Sequence, residues 1–296
     1  MVFSMKNYIL LVDMANCSQC HACLLACKDE HFGNDFPPYT LGIQELGENW
    51  VNMHIEERGA GSKLRIACWP EFCRHCGDPD CAKASNAVSR RPDGIVLIDP
   101  SGSVGDRSLI DACPNRAVVW NDEKGLPQKC TLCAHLLDAG ETAPRCVEAC
   151  PNGTLSFGDL NDTECEVARL VRENPELAGQ SSVVRYYNRP GRFIAGSVYL
   201  SETEAAEGAD VELFDAGECD SSPVSSAQQD HYATPQGGGS LISRVRTNGF
   251  GDFKFSNLPD NKQYRVTISL DGFTPLTLGA DTADDVCWED ITLKQG

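Results

Sequence analysis

The chain has 296 residues, of which 43 are acidic and 25 are basic, which gives a formal net charge of −18. This charge argues against nucleic acid or an anionic membrane surface as a partner, since both attract basic patches. The first residues lack the pattern of a secretory leader, and no stretch reaches the roughly 18 apolar residues that a spanning helix needs. We therefore expect a cytoplasmic chain of two domains with no direct membrane insertion. Export together with a partner that carries a signal is also compatible with this sequence.

The first predicted elements are a strand at Tyr8–Val12 and the cysteine run that follows it. A short helix is expected to begin at Leu24. The run reads Cys17-x2-Cys20-x2-Cys23-x3-Cys27. In bacterial ferredoxins, a run of this kind holds one [4Fe–4S] cluster with its first three cysteines and lends the fourth to a second cluster.

An insertion at 34–65 separates this run from the next cysteines, and within it Trp50–Glu56 alternates as a strand does. The insertion either covers a cluster, contacts a partner subunit or is a plain surface excursion. A triplet then follows as Cys73-x2-Cys76-x4-Cys81. After a predicted strand at Gly94–Pro100, a single Cys113 stands before a proline.

The last run completes an interlocking set of twelve of the sixteen cysteines. It reads Cys130-x2-Cys133-x12-Cys146-x3-Cys150, and a short helix is expected at Ala134–Leu137. The crossover rule defines a first quartet of Cys17, Cys20, Cys23 and Cys150 and a third quartet of Cys27, Cys130, Cys133 and Cys146. The second quartet is then Cys73, Cys76, Cys81 and Cys113. Segment 113–122 supports it, because it repeats the order of cysteine, turn and strand found in 150–159.

These quartets predict three [4Fe–4S] clusters, since thiolates are the ligands that such clusters prefer. A four-cluster version of the pattern would need another triplet just before Cys113 and a cysteine near Ser85. Residues 101–112 contain no cysteine, so one whole cluster is missing and no ligand is left stranded. Zinc needs only isolated CxxC pairs, and disulfides belong to small secreted domains. Neither alternative explains the interlocking triplets.

Several residues near the quartets have two interpretations. His75 and His135 either donate a hydrogen bond that raises a cluster potential or pack as ordinary loop residues. Lys28 and Lys129, each next to a predicted ligand, would offset the negative charge of a cluster. The four remaining cysteines are expected to be free thiols, with a Cys219–Cys287 disulfide only in an exported protein. They are Cys68, Cys165, Cys219 and Cys287.

Beyond the cysteine runs, Thr163–Leu177 has a helical pattern, and from Arg189 onward the chain becomes strand-rich. Short alternating runs separated by turn residues predict a β-sandwich or barrel. Their positions are 193–200, 209–214, 253–255, 264–268 and 290–293. A polar insertion at Cys219–Ser240 is expected to be a mobile loop. We find no nucleophile–base pair in this part, so docking or structural support is its expected role.

The cluster pattern resembles the iron–sulfur subunits of the dimethyl-sulfoxide-reductase family of molybdopterin enzymes. The missing cluster, the appended β-domain and three sequence segments narrow the resemblance to the small subunits of transhydroxylases that act on phenols such as pyrogallol and phloroglucinol. The segments are Asp93–Pro100, Gln128–Asp138 and Arg185–Tyr187. The resemblance implies an α+β ferredoxin-like multi-cluster domain at 1–188, followed at 189–296 by an all-β sandwich or barrel of about seven strands.

The resemblance also implies a large catalytic partner that holds molybdenum on two pterin guanine dinucleotides, where the phenol chemistry takes place. We therefore predict an electron-transfer subunit with no catalytic residue of its own. Three alternatives stay open: the same role in a reductive catechol dehydroxylase, a free-standing polyferredoxin carrier, and a subunit whose clusters only hold its fold together.

Overall fold

The computed structural model of the chain describes residues 6–47, 49–216 and 239–296. The chain divides into two compact units, one made of Met1–Ile55 and Cys68–Arg189 and the other of Glu56–Ala67 and Pro190–Gly296. The sequence analysis placed a single boundary at 188/189. The structure differs in assigning residues 56–67, from the end of the insertion, to the second unit.

The secondary structure is dominated by short elements in the first unit and by longer strands in the second. The described strands are β1 (Tyr8–Asp13), β2 (Asn52–Arg58), β3 (Arg65–Glu71), β4 (Val88–Arg90), β5 (Val96–Ile98), β6 (Val119–Asn121), β7 (Leu126–Gln128), β8 (Leu155–Asp159), β9 (Val184–Tyr187), β10 (Arg192–Ser201), β11 (Glu204–Ala205), β12 (Asp210–Asp215), β13 (Leu241–Arg246), β14 (Asp252–Leu258), β15 (Gln263–Ser269), β16 (Leu276–Asp281) and β17 (Val286–Thr292). The described helices are α1 (Ala22–His31), α2 (Asp80–Ala84), α3 (Ser108–Asp111), α4 (Ala134–Asp138), α5 (Arg145–Glu148), α6 (Glu166–Glu173) and α7 (Pro175–Ala178). None of them is long and apolar enough to cross a membrane.

The centre of the first unit is a three-stranded sheet in which β1 runs antiparallel to β8 and parallel to β9. Residues 9–12 of β1 are all buried, as expected for a strand that is covered on both faces. Ile9 and Leu11 pack against Val167 of α6 and Leu177 of α7. Two further strand pairs of this unit, β4 with β5 and β6 with β7, form small hairpins between the cysteine segments.

The helix predicted at Thr163–Leu177 is two helices, α6 and α7, separated at Asn174. Asn174 is extended, with φ −116° and ψ 97°, and Pro175 is the first residue of α7. The proline ring disfavours the helical conformation for the residue before it, and proline itself suits a helix start. The prediction of one continuous helix was therefore wrong at this point.

The second unit consists, among its described strands, of two four-stranded sheets. One contains β10, β11, β14 and β17, and the other has the order β13-β12-β15-β16. Both sheets contribute to one buried core, for example through Ile194 and Val198 from the first and Val211 and Ile268 from the second. The strands described here do not close into a barrel.

Strands β13 and β16 did not emerge from the sequence. Leu241 and Ile242 of β13 are 51% and 48% exposed, so apolar residues do not mark a buried face there. Most of the loop predicted at Cys219–Ser240 lies outside the described residues.

Within the second unit, segment 56–67 is anchored by a buried ion pair. The Arg58 guanidinium donates two hydrogen bonds of 2.8 Å to the Asp285 carboxylate, and their side chains are only 7% and 3% exposed. The same guanidinium donates to the carbonyl oxygens of Pro190 and Gly191. Arg58 therefore has its charge and most of its donors satisfied inside this unit.

A second ion pair in this unit, between Lys63 and Asp252, predicts that the stability of the unit depends on pH. Burial would raise the pKa of Asp252, but hydrogen bonds from Lys63 and Ser197 outweigh it and hold that pKa below its ordinary value. A carboxyl group with a lowered pKa stabilises the fold above its unfolded pKa, about 3.9, and loses this effect as the pH falls through the folded value. We expect Asp252→Asn to weaken amide-exchange protection of β14 at pH 7 and to differ little from wild type at the acid end of the exchange series. An equal difference at both pH values would contradict this prediction.

Candidate iron–sulfur centres

The four cysteines of the second quartet line one cavity. Cys73 and Cys76 lie in the loop after β3, Cys81 in α2, and Cys113 directly after α3 and its C-cap. All four line the cavity, together with His75, Val96 and Lys129 among others. The structure thus brings Cys113 to the triplet that the sequence analysis assigned to it.

The four cysteines of the first quartet line another cavity. Its lining includes Cys17, Cys20 and Cys23 from the first cysteine run and Cys150 from the last. Cys20 is exposed, whereas Cys23 is buried at the start of α1. The chain therefore places the fourth cysteine of the last run beside the first three of the opening run.

The third quartet is buried more deeply. Burial raises the pKa of Cys27 well above its usual range, and the nearby thiols of Cys130 and Cys133 add to the effect. Burial does the same to the pKa of Cys146, again with Cys130, Cys133 and Cys27 as the next causes. Helix α1, which carries Cys27, also packs against α5, which carries Cys146.

The thiols of the third quartet need a positive partner in order to ionise, because burial disfavours their thiolate forms. Burial raises the pKa of Cys133 to about 11 and that of Cys130 to about 12. Four neighbouring thiols in such a place cannot all ionise without a positive partner, and metal coordination deprotonates them outright. Within the described ranges, no three or more histidine, cysteine or acidic side chains are placed to hold a single metal ion. The cavities and the soft donor sets fit an iron–sulfur cluster.

The backbone has the same unusual conformation in all three triplet loops. The residue before the second cysteine is left-handed in each: Gln19 at φ 57°, His75 at φ 47° and Leu132 at φ 54°. Non-glycine residues rarely adopt this region, and such strain is typical of ligand clamps. The sequence analysis missed these positions, because none of the three is a glycine or asparagine that would signal a left-handed turn.

The fourth-ligand segments share a conformation as well. Arg116 and Gly153 each stand three residues after their cysteine and have φ values of 50° and 64°. The Ala117 N–H donates to Cys113 Sγ over 3.4 Å, and the Leu132 N–H donates to Cys130 Sγ over 3.3 Å. The hydrogen bond from Leu132 opposes the rise in the pKa of Cys130 that burial causes.

Of the two lysines beside predicted ligands, Lys129 has the more direct relation to a cavity. It is 3% exposed and lines the cavity of the second quartet. Its ammonium group donates to the carbonyl oxygens of Val96 and Cys130. Lys28 instead donates to the carbonyl oxygen of Gln44 over 2.8 Å.

The two histidines also differ. His135 stacks on Phe36 with ring centroids 3.8 Å apart, and its Nε2 lies 3.1 Å from a Glu30 carboxylate oxygen. These contacts pack the ring and pair its Nε2, while its Nδ1 is buried without a hydrogen-bond partner among the described residues. His75 is completely buried and lines the cavity of the second quartet.

The cysteines outside the quartets are free thiols where the structure describes them. Cys68 Sγ lies 3.7 Å from the Cys17 carbonyl oxygen but is not among the residues that line the nearby cavity. Cys165 Sγ donates to the Asp159 carbonyl oxygen over 3.2 Å. Cys219, and with it the conditional Cys219–Cys287 disulfide, lies outside the described residues.

Comparison with known proteins agrees with this chemistry. Residues 64–160 match the model of the 4Fe-4S dicluster domain. Together with the cysteine loops, this match defines an iron–sulfur protein.

The relatives narrow the class. The pyrogallol hydroxytransferase small subunit of Pelobacter acidigallici is 36% identical over 90% of this chain and 92% of its own length. A putative dimethyl sulfoxide reductase iron–sulfur subunit of Halobacterium salinarum is 32% identical over 57% of this chain and 72% of its own length. The iron–sulfur subunit of the nitrate-inducible formate dehydrogenase of Escherichia coli is 30% identical over 57% of this chain and 61% of its own. The chain belongs to the family of the pyrogallol hydroxytransferase small subunit, within the iron–sulfur subunits of the dimethyl-sulfoxide-reductase family.

Among solved structures, catechol 1,2-dioxygenase from Pseudomonas arvilla C-1 matches 36% of this chain and 52% of its own at 14% identity and a TM-score of 0.23. This likeness is too weak to carry functional information.

Proposed function

We propose that this chain transfers electrons for a large molybdopterin-containing catalytic subunit that moves hydroxyl groups on phenols such as pyrogallol and phloroglucinol. The observation that carries the proposal is the 36% identity with the pyrogallol hydroxytransferase small subunit, which extends over 90% of the chain. The similarity therefore covers the β-rich unit as well as the cysteine loops.

We infer that the three quartets hold three [4Fe–4S] clusters, with thiolates of the twelve predicted cysteines as ligands. The support is that two cavities are each lined by one complete quartet and that all four cysteines of the third quartet are buried. Bound clusters would accept and release single electrons at potentials set by burial and by hydrogen bonds to sulfur.

The order of the clusters follows from which thiols are neighbours. In the third quartet, the thiol of Cys23 from the first quartet helps to raise the pKa of Cys27. The thiol of Cys73 from the second quartet helps to raise the pKa of Cys130. We propose on this basis that the third quartet occupies the middle of the relay, with the other two at its ends. Burial isolates this middle site from solvent, while the exposed Cys20 marks one end.

Molybdenum on two pterin guanine dinucleotides is expected in the partner and not in this chain. The catalytic residues would then belong to that partner, as the sequence analysis predicts. The formal net charge of −18 also argues against nucleic acid as a partner. We place the protein in the cytoplasm, which agrees with its free thiols in the described ranges.

We further propose that the first unit is a ferredoxin-like domain spanning 1–188 and that the second is a β-sandwich-type domain spanning 189–296. The two sheets with a common core support the sandwich. Segment 56–67 would be an addition to it from the first part of the chain.

The test is the metal content of the complex purified anaerobically from its native host without separation of partners. The proposal predicts about twelve iron atoms per chain, which is four for each cluster, and about one molybdenum per large subunit.

Pyrogallol and catechol turnover are then assayed with and without an electron donor. Hydroxyl transfer without net reduction supports the transhydroxylase, whereas donor-dependent catechol dehydroxylation supports the alternative enzyme. Iron without molybdenum or a large partner would favour a free carrier and overturn the proposal. Clusters that exchange no electrons with the partner would leave only a structural role.

A further inference from the structure

His75 is held in one orientation beside the second quartet. The Val96 N–H donates to His75 Nδ1 over 3.0 Å, and the Val183 N–H donates to the His75 carbonyl oxygen over 3.1 Å. The side chain is completely buried between these contacts. The ring therefore has little freedom to turn.

The hydrogen bond from Val96 also determines where the proton of the neutral ring lies. Because Nδ1 accepts a hydrogen bond, it carries no proton, and the single proton of the neutral ring is on Nε2. Nε2 is buried and has no hydrogen-bond partner among the described residues. A buried N–H without a partner costs free energy, so such a group normally faces an acceptor.

The cavity of the second quartet offers the missing acceptor. His75 lines this cavity together with the four cysteines. At the equivalent left-handed position of the third triplet stands Leu132, which has no donor, and Gln19 of the first triplet does not line its cavity. Among the three left-handed loop residues, His75 therefore alone combines a side-chain N–H donor with a place in the lining of its quartet's cavity.

Lys129 reinforces this asymmetry from the same cavity wall. Val96 connects the two side chains, since its N–H bonds to His75 and its carbonyl oxygen accepts from Lys129. The positive charge of the ammonium group is buried beside Cys81, where it opposes the rise in the pKa of that thiol that burial causes. The same charge would favour an added electron nearby.

We propose that His75 Nε2–H donates a hydrogen bond to a sulfur atom of the cluster held by Cys73, Cys76, Cys81 and Cys113, and so raises the reduction potential of this cluster above the other two. The inference rests on the cluster assignment made under Proposed function. A donor stabilises the reduced cluster more than the oxidised one, because reduction adds negative charge to the sulfur atoms. Electrons in the relay then collect at the second quartet, which becomes the reservoir end of the chain of clusters.

The test is a matched pair of variants in the intact complex, followed by EPR-monitored redox titration. Asparagine replaces the ring at the Nδ1 position and can still accept from Val96, but it has no group at the Nε2 position. Glutamine reaches the Nε2 position with an amide N–H and gives up the Nδ1 acceptor. We expect His75→Asn to lower one midpoint by about 59 mV, which is a tenfold change in the one-electron equilibrium constant. His75→Gln should keep a potential close to wild type. The other two clusters in each sample provide the internal control.

A lowered midpoint in His75→Gln with a wild-type midpoint in His75→Asn would overturn the role of His75. So would three unchanged midpoints in a fully loaded His75→Asn complex. Both results would leave the proposed function intact. If the wild-type complex itself lacks a cluster at the second quartet, the cluster assignment fails instead. If His75→Asn loses iron, pulsed EPR of the wild-type complex labelled with ¹⁵N-histidine tests the hydrogen bond directly. A weakly coupled histidine nitrogen at one reduced cluster supports the proposal, and its absence from all three rejects it.

Discussion

Replacing Cys113 with alanine is expected to lower the iron content of the complex from about twelve to about eight atoms per chain, because one [4Fe–4S] cluster loses its fourth ligand. The EPR signal of one reduced cluster should disappear at the same time. Cys113 comes from a different segment than the triplet that it faces, so its removal opens one wall of the cavity. Iron analysis and EPR of the anaerobically purified complex measure both effects.

The matched control is Cys68→Ala. Cys68 is as buried as several of the predicted ligands, at 9% exposure, and lies beside Cys17. Its loss should leave all the iron in place, since it belongs to no quartet. A three-iron signal in Cys113→Ala would still identify Cys113 as a ligand, whereas full iron in that variant would remove it from the second quartet. Equal iron loss in the two variants would point to general damage.

Replacing Arg58 with methionine is expected to destabilise the second unit by about 3–5 kcal/mol, the usual effect of leaving one member of a buried ion pair alone. Asp285 would stay buried, with the Phe193 N–H as a remaining donor at 2.9 Å. Hydrogen exchange of the intact complex reports the change as faster exchange of the amides in β10 and β17. This measurement does not require the unit to fold by itself.

Two further variants separate the ion pair from other effects of the substitution. Arg246→Met removes an exposed pair with Asp210, whose side chains are 72% and 37% exposed, and should cost no more than about 1 kcal/mol. Combining Arg58→Met with Asp285→Leu removes the buried charge and should restore part of the protection. If the double variant exchanges as fast as the single one, the unpaired carboxylate is not the cause.

Regular elements with a clear pattern could be predicted from the sequence. The strand at Tyr8–Val12 agrees with β1, and the strand-like run at 193–200 agrees with β10, because buried strands show as apolar runs. The exposed edge strand β13 has no such pattern. The break at Asn174 was missed because the amphipathic period continues across it, although Pro175 carries the signal.

The cysteines illustrate the same division at the candidate site. Ligand chemistry and loop spacing are local properties, so the sequence alone determined twelve candidate thiolates, their grouping into quartets and the resemblance to iron–sulfur subunits. The structure brings the same groups together, while their role as ligands stays a prediction.

Only the tertiary structure decided which groups surround these cysteines. The left-handed loop residues, the attachment of Arg58 to Asp285 and the tautomer of His75 depend on partners that are distant in the chain or on backbone angles without a residue signature. His75 acquires its free Nε2–H only because β5 brings Val96 to its other nitrogen, 21 positions along the chain. Sequence determined which thiols are candidate iron ligands, and the fold decided which of them a buried donor can reach, because hydrogen bonds depend on distance in space and not on distance along the chain.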